Sequence, residues 1–154
     1  MEMTAATMQA RMAETVARVL RQACRKWAPP RKIKTRDWAN KYRYLSSIEA
    51  ARPGKYVLDV TPYLAWENSP LDALDDPSVQ VVVCQKSAQV AWTSGVLGNF
   101  LGKSIDAEPS PILVLFPKEG AAKEYMDEKF VPMVEATPAL REKVDTRIRA
   151  QGQR

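Results

Sequence analysis

The chain has 154 residues, with 45% hydrophobic and 27% charged side chains, a formal net charge of +5 and no histidine. Its length allows one domain or part of a larger one. Its apolar runs are too short to span a membrane, and the lack of histidine excludes Ser-His-Asp catalysis and histidine metal sites. Cys24 and Cys84 lie far apart in the sequence, which favours two buried thiols in a cytoplasmic protein.

The positive charge is concentrated in the first third of the chain. Residues 1–55 carry 13 basic and 4 acidic side chains, a balance of +9. Residues 56–154 carry 10 basic and 14 acidic side chains, a balance of −4. A polyanionic partner is therefore expected to bind the basic segment.

The first predicted element is an amphipathic helix over residues 3–27, which contain neither glycine nor proline. It forms a separate segment, residues 1–30, that ends at Pro29-Pro30. The apolar stripe of this helix either docks on the core or binds another protein. The second interpretation assigns partner binding to four residues of the stripe: Met8, Met12, Val16 and Leu20.

Residues 31–60 form a basic and aromatic linker region. Residues 31–36, RKIKTR, are either a solvated tether or a contact to the DNA backbone. In residues 37–45, aromatic side chains alternate with basic ones. These aromatics either stack on nucleobases or belong to a short helix that anchors Trp38 and Tyr44 in the core.

Residues 61–140 alternate between helical and strand patterns. A helix is predicted over 62–74, followed by a β-branched strand over 79–83 and a helix that starts near Thr93. A second buried strand is predicted over 111–116 and a helix over 121–133, whereas the tail, 141–154, is polar. Since buried strands joined through a helix pair in parallel, we expect an α/β fold with an incomplete parallel sheet flanked by helices.

The loop between the first strand and its helix is the candidate phosphate site. A strand–loop–helix directs backbone N–H groups and a helix N-terminus towards one point, which suits a phosphate. The usual pattern, G-x-x-x-x-G-K-[ST], spans residues 86–93, but both glycines are missing and Trp92 takes the usual lysine position. Lys86 instead supplies a charge at the first position. From the residues alone, an ordinary strand-to-helix loop remains the alternative.

Beyond this loop, a series of short motifs resembles the large terminase subunits of tailed phages, the lambda-like GpA group. The resemblance runs from residue 38 to residue 140, and its most specific element is K-S-A-[RQ]-V-G-[YW]-[ST]. The matching motifs, in order, are WA at 38–39, YL at 44–45, PGKY at 53–56, TPYL at 61–64, DALDDP at 72–77, KSAQV at 86–90, PILV at 111–114 and PM at 132–133.

The resemblance implies part of an ASCE-type P-loop ATPase fold that binds ATP and Mg²⁺, preceded by an extra N-terminal helix. It assigns the β- and γ-phosphates to Lys86 and the Mg²⁺ ion to the hydroxyl of Thr93. The remaining nucleotide-binding positions that it implies are Ser87, Ala88, Gln89, Val90, Ala91 and Trp92.

Two positions depart from the family pattern: Ala91 replaces a glycine, and Ser94 replaces a lysine that some members carry. Gln89 stands where arginine is frequent. Leu64 stands where some members carry a glutamine, so no residue is assigned to read adenine.

The resemblance also implies partners and a location. The family packages double-stranded DNA into procapsids in the bacterial host cytoplasm, and no membrane is involved. The expected partners are double-stranded DNA, the small terminase subunit at the N-terminal helix, and the portal or procapsid.

No hydrophobic run that ends in Asp-Glu follows Phe116, and no acidic cluster suits a nuclease. We therefore expect the chain to represent the N-terminal quarter of a terminase, with the phosphate loop but with little ATP turnover by itself. Two alternatives remain open: a DNA- or partner-binding module without nucleotide, and an inactive prophage remnant.

Overall fold

The structure is a computed structural model that describes residues 5–27, 29 and 31–144, with the side chains of 11–21, 23, 24, 29 and 31–144. It contains two compact units, Met1–Pro30 and Arg31–Arg154. Among the described residues, no helix has both the length and the apolar character that crossing a membrane requires.

The first unit contains the predicted N-terminal helix, α1, over Ala5–Trp27. Three of the four residues assigned to partner binding are more than half exposed: Met12 at 65%, Val16 at 54% and Leu20 at 58%. The side chain of Met8 lies outside the described residues. The amphipathic helix is confirmed, while its binding of a partner remains a prediction.

The second unit is mostly helical, and its elements are short. A two-stranded antiparallel sheet pairs Tyr44 with Lys55 and Leu45 with Gly54. The elements in order are α2 (Thr35–Tyr42), β1 (Tyr44–Leu45), β2 (Gly54–Lys55), a 3₁₀ turn (Leu58–Val60), α3 (Pro62–Ala65), α4 (Pro70–Asp75), a π-helical segment (Trp92–Gly98), α5 (Asn99–Asp106), α6 (Glu119–Tyr125), a second π-helical segment (Met126–Phe130), α7 (Val131–Ala136) and α8 (Pro138–Arg141).

The predicted parallel sheet is not formed among the described residues, and this prediction was wrong there. Residues 79–83 and 111–116 have no regular secondary structure, and no described segment pairs with either run. Val83 is 89% exposed and Leu113 is 81% exposed. A β-branched run becomes a strand only when another backbone supplies ladder hydrogen bonds, and neither run has such a partner here.

The helix predicted over 62–74 is divided into α3 and α4. Asn68, between them, has a left-handed backbone with φ of 62°. Pro70 then occupies the first turn of α4, where its missing N–H group is tolerated. Proline restricts the residue before it to extended conformations, and Ser69 is extended, so one continuous helix cannot form.

The helix predicted over 121–133 is instead longer, since α6, the second π-helical segment and α7 follow one another without a break over residues 119–136. Pro132 lies inside this helical stretch and does not end it. Proline cannot donate a backbone hydrogen bond to the preceding turn, and the wider π-helical turn in front of Pro132 accommodates this loss.

The core of the second unit is built around Trp38, which is fully buried. This burial favours the anchoring helix over base stacking for residues 37–45, although Tyr44 remains 39% exposed. The other members of the core cluster are Ala39, Tyr56, Leu58, Leu64, Leu71, Val96, Met133, Val134 and Leu140.

Asp106, at the end of α5, links the Trp38 helix to both ends of the unit. Its Oδ2 accepts hydrogen bonds from Trp38 Nε1 at 2.9 Å and from Arg31 Nη2 at 2.6 Å. Its Oδ1 accepts from Lys143 Nζ, which also donates to the Asp106 carbonyl oxygen at 2.6 Å. One buried carboxylate therefore holds three segments that are distant in sequence.

Candidate functional site

The predicted phosphate loop, residues 86–93, is a tight turn that leads into a helix. Lys86 and Gln89 are exposed, and Thr93 is half-buried at the start of the helix. Tyr63 Oη donates a hydrogen bond of 2.6 Å to the Val90 carbonyl oxygen, which anchors the middle of the loop.

The loop contains an unusual backbone. Among the described residues other than glycine, three have a positive φ, and two of them lie here: Gln89 at 57° and Ala91 at 52°. Left-handed residues that alternate with ordinary ones turn successive N–H groups to one side, which is a way of making an anion-binding concavity. Such strain is concentrated at functional sites.

The conformation of Ala91 is one that favours glycine, the residue that the resemblance implies at this position. In a left-handed backbone, a Cβ lies close to the following carbonyl oxygen, and glycine avoids this contact. The methyl group of Ala91 is therefore tolerated at the expense of stability, and it does not prevent the turn.

We expect Ala91→Gly to raise the free energy of unfolding by about 1 kcal/mol, because it removes the left-handed strain. Denaturant unfolding followed by tryptophan fluorescence measures this change. Ala88→Gly is the matched control, since Ala88 has no positive φ and glycine there should only make the unfolded chain more flexible. Equal effects of the two variants would contradict a strained Ala91.

The helix after the loop begins with the π-helical segment Trp92–Gly98 and continues as α5. Its first turn is packed closely, because a Cβ at Gly95 would lie 2.5 Å from Leu64 Cδ1. Gly95 N donates to the Ala91 carbonyl oxygen at 2.5 Å. This N-terminal end directly follows the loop, and the N-terminus of a helix favours a negative charge.

A cleft of about 640 Å³ opens beside the loop and collects basic side chains. Lys86, Trp92 and Thr93 line it, together with Gln89, Val90 and Ala91. Three further cations, Arg52, Lys55 and Lys129, line the same cleft. The volume is within the range of small-molecule sites, and the charge suits a polyanionic ligand.

Two of the predicted loop residues do not line this cleft. Ser87 instead lines a second cavity of about 470 Å³, which Lys86, Val90 and Trp92 also border. Ala88 lines neither of these two cavities. The structure thus brings six of the eight predicted residues into one cleft, while their binding of nucleotide remains a prediction.

Sequence patterns did not identify the cleft's other charged and aromatic residues. Arg52 and Lys55 flank the Pro53-Gly54 turn, and Lys129 belongs to the second π-helical segment. Glu49 and Tyr56 also line the cleft. π-Helical turns are frequent at functional sites, but no short sequence motif predicts them, so the position of Lys129 could not be predicted from the sequence.

The donor set in the cleft suits the oxygens of a phosphate-bearing ligand better than a bare metal ion. Lysine and arginine side chains with backbone N–H groups are ligands for phosphate oxygens. In the part of the chain that the structure describes, no three His, Cys, Asp or Glu side chains are grouped as metal ligands. The loop also contains the hydroxyl of Thr93, and a Ser or Thr hydroxyl contacts Mg²⁺ in known phosphate loops.

Comparison with known proteins identifies the family. Residues 50–154 match the family model of the phage terminase large subunit gpA, ATPase domain. No curated protein and no solved structure matches the chain. The matched segment covers more than half of the sequence and contains the whole loop and most of the cleft. The chain therefore belongs to the phage terminase large subunit family gpA, within its ATPase domain.

Proposed function

We propose that the cleft beside residues 86–93 binds Mg²⁺-ATP, and that the loop is a variant phosphate loop of the P-loop ATPases. The observation that carries this proposal is the pair of left-handed residues, Gln89 and Ala91, between Lys86 and a helix N-terminus. The basic cleft adds independent support, since it gathers three more cations around the loop.

Each part of the loop has a proposed role. Lys86 binds the β- and γ-phosphates from the front of the loop, in place of the lysine that Trp92 replaces. Backbone N–H groups of residues 87–90 cradle the phosphates, and the Thr93 hydroxyl holds Mg²⁺. The bound ion would neutralise phosphate charge, and Trp92 would contribute an aromatic wall.

We propose that residues 1–154 by themselves bind the nucleotide without efficient turnover. Hydrolysis needs an acidic pair for the ion and the attacking water, and no hydrophobic run ending in Asp-Glu follows Phe116. The proposed context is ATP-driven packaging of double-stranded DNA in the host cytoplasm. The exposed stripe of α1 would bind the small subunit, and the portal or procapsid would be a further partner.

Lys86→Ala tests the nucleotide site. We expect it to weaken Mg²⁺-ATP binding about tenfold or more, because charge-assisted hydrogen bonds to phosphate are lost. Isothermal titration calorimetry measures the affinity. The matched control is Lys123→Ala, which removes an exposed lysine from α6, outside the cleft. Unchanged affinity in Lys86→Ala would overturn the proposal.

A second candidate function is DNA binding without nucleotide, which the +9 balance of residues 1–55 favours. In that case, affinity for DNA would fall steeply with salt concentration, since bound cations release counterions from the phosphates. The affinity for DNA would also be the same with and without ATP and in Lys86→Ala. If these results are obtained and no ATP binding is measurable, the DNA-binding function replaces the nucleotide-binding one.

A further inference from the structure

A fully buried arginine, Arg43, connects the linker region to the helix that carries the loop. It precedes β1, and its side chain is 0% exposed. Nη1 donates to the Ser94 carbonyl oxygen and to Asn99 Oδ1. Nη2 donates to Ser94 Oγ at 2.7 Å and to Glu49 Oε1. The guanidinium thus holds two residues that are one helical turn apart.

The guanidinium has little room to move. It lies over the ring of Tyr56, with Cζ 4.9 Å from the ring centroid. A Cβ at Gly98 would lie 3.2 Å from both terminal nitrogens, so the helix backbone closes the other side. The helix can approach Arg43 this closely because residue 98 is glycine.

Glu49 fixes the other end of this network and borders the cleft. Its Oε1 accepts from Arg43 and, at 2.5 Å, from Ser94 Oγ. Its side chain is 2% exposed, and Oε2 has no hydrogen-bond partner among the described residues. The same holds for Arg43 Nε. A buried pair with unpartnered atoms contributes little net stability compared with apolar packing, so stability alone does not explain it.

We propose that Arg43 and Glu49 are a positioning pair for the phosphate loop. Ser94 directly follows Thr93, the residue assigned to Mg²⁺, and both the carbonyl and the hydroxyl of Ser94 are held by this pair. Glu49 orients Arg43, Arg43 fixes the first helical turn, and the turn presents the Thr93 hydroxyl to the cleft. This inference rests on the proposed nucleotide site.

Arg43→Lys is the sharpest test, because lysine keeps the charge but cannot hold Ser94, Asn99 and Glu49 together. The measurement is the ratio of ATP affinities with and without Mg²⁺. We expect this ratio to fall about tenfold, the size of effect seen when partners that orient metal ligands are changed. Affinity for ATP without Mg²⁺ should change much less, because Lys86 and the loop backbone remain.

Arg36→Lys is the matched control, since Arg36 also binds a carboxylate, that of Asp72, and a backbone carbonyl, that of Ala65, outside the cleft. Arg36→Lys should lower the free energy of unfolding but leave the ratio of ATP affinities with and without Mg²⁺ unchanged. If Arg43→Lys does not melt cooperatively, Ser94→Ala is the substitute, because it removes the hydroxyl that both Arg43 and Glu49 contact. A smaller fall of the same ratio is then expected.

The positioning pair and the nucleotide site are refuted by different results. If Lys86→Ala weakens ATP binding but Arg43→Lys and Ser94→Ala keep the wild-type Mg²⁺ ratio, the positioning pair is refuted and the nucleotide site stands. If Arg36→Lys changes the ratio as much as Arg43→Lys, the effect reflects general destabilisation, and the inference is equally refuted. If neither the wild type nor Lys86→Ala binds ATP, the proposed function itself fails.

Discussion

Asp106→Ala is expected to lower the free energy of unfolding by about 4 kcal/mol. The side chain of Asp106 is 3% exposed and accepts hydrogen bonds from Trp38, Arg31 and Lys143. Loss of the carboxylate leaves the buried Trp38 N–H without its acceptor, and charge-assisted bonds are worth about 1.5–3 kcal/mol each. The bonds to Arg31 and Lys143 count for less, because these side chains are 53% and 43% exposed.

Urea unfolding at pH 7, followed by tryptophan fluorescence, measures this loss. Asp106→Asn should lose about half as much, since it keeps an oxygen acceptor for Trp38 but no charge. Asp76→Ala is the control, because Asp76 is exposed and its carboxylate, among the described residues, accepts hydrogen bonds from Ser78 within its own turn. A similar loss in Asp76→Ala and Asp106→Ala would contradict the central role of Asp106.

The contribution of Asp106 to the free energy of unfolding should decrease as the pH falls. Burial opposes its ionisation, but the hydrogen bonds from Lys143 and Trp38 and the nearby positive charges outweigh burial and lower the pKa of Asp106. A group whose pKa is lowered by folding stabilises the protein above its ordinary pKa and loses this contribution as the pH falls through the folded pKa. The difference in free energy of unfolding between wild type and Asp106→Asn should therefore be largest near pH 7 and decrease below about pH 4.

Local patterns were sufficient for α1 and for a short helix at Trp38, whereas the helices predicted over 62–74 and 121–133 have other bounds in the structure. The spacing of apolar residues in α1 and the aromatic segment of α2 are properties of short windows, and the structure contains both helices. The predicted strands were wrong because a strand depends on a partner elsewhere in the chain. Residues 79–83 have the composition of a buried strand, yet they lack the paired backbone that would make them one.

The candidate loop was located in the sequence by its place before a predicted helix and by the resemblance, whereas most of the residues around it were not. Lys86 and Thr93 define the ends of a contiguous motif, but Lys129 reaches the cleft only through the fold. Arg43 shows the limit of sequence prediction: it belongs to a segment whose aromatic side chains could stack on nucleobases, but it is buried against Tyr56 and Ser94. Only the three-dimensional arrangement reveals these contacts of Arg43.

Gly102→Ala is expected to lower the free energy of unfolding by about 3 kcal/mol through overpacking. Gly102 lies in α5, where α2 crosses it, and a Cβ there would lie 2.3 Å from Trp38 Cη2 and 2.6 Å from Cζ3. The indole cannot shift easily, since it is fully buried and its Nε1 is held by Asp106. The higher helix propensity of alanine, about 1 kcal/mol, offsets only part of this strain.

Gly120→Ala is the matched control, because Gly120 lies in α6 and a Cβ there would meet nothing within 4 Å. The same substitution should therefore stabilise the protein by about 0.5 kcal/mol, through helix propensity alone. Combining Gly102→Ala with Trp38→Phe tests the contact itself, since phenylalanine lacks the far ring of the indole. The loss caused by Gly102→Ala should be smaller in that background, and a strictly additive cycle would show that the strain lies elsewhere.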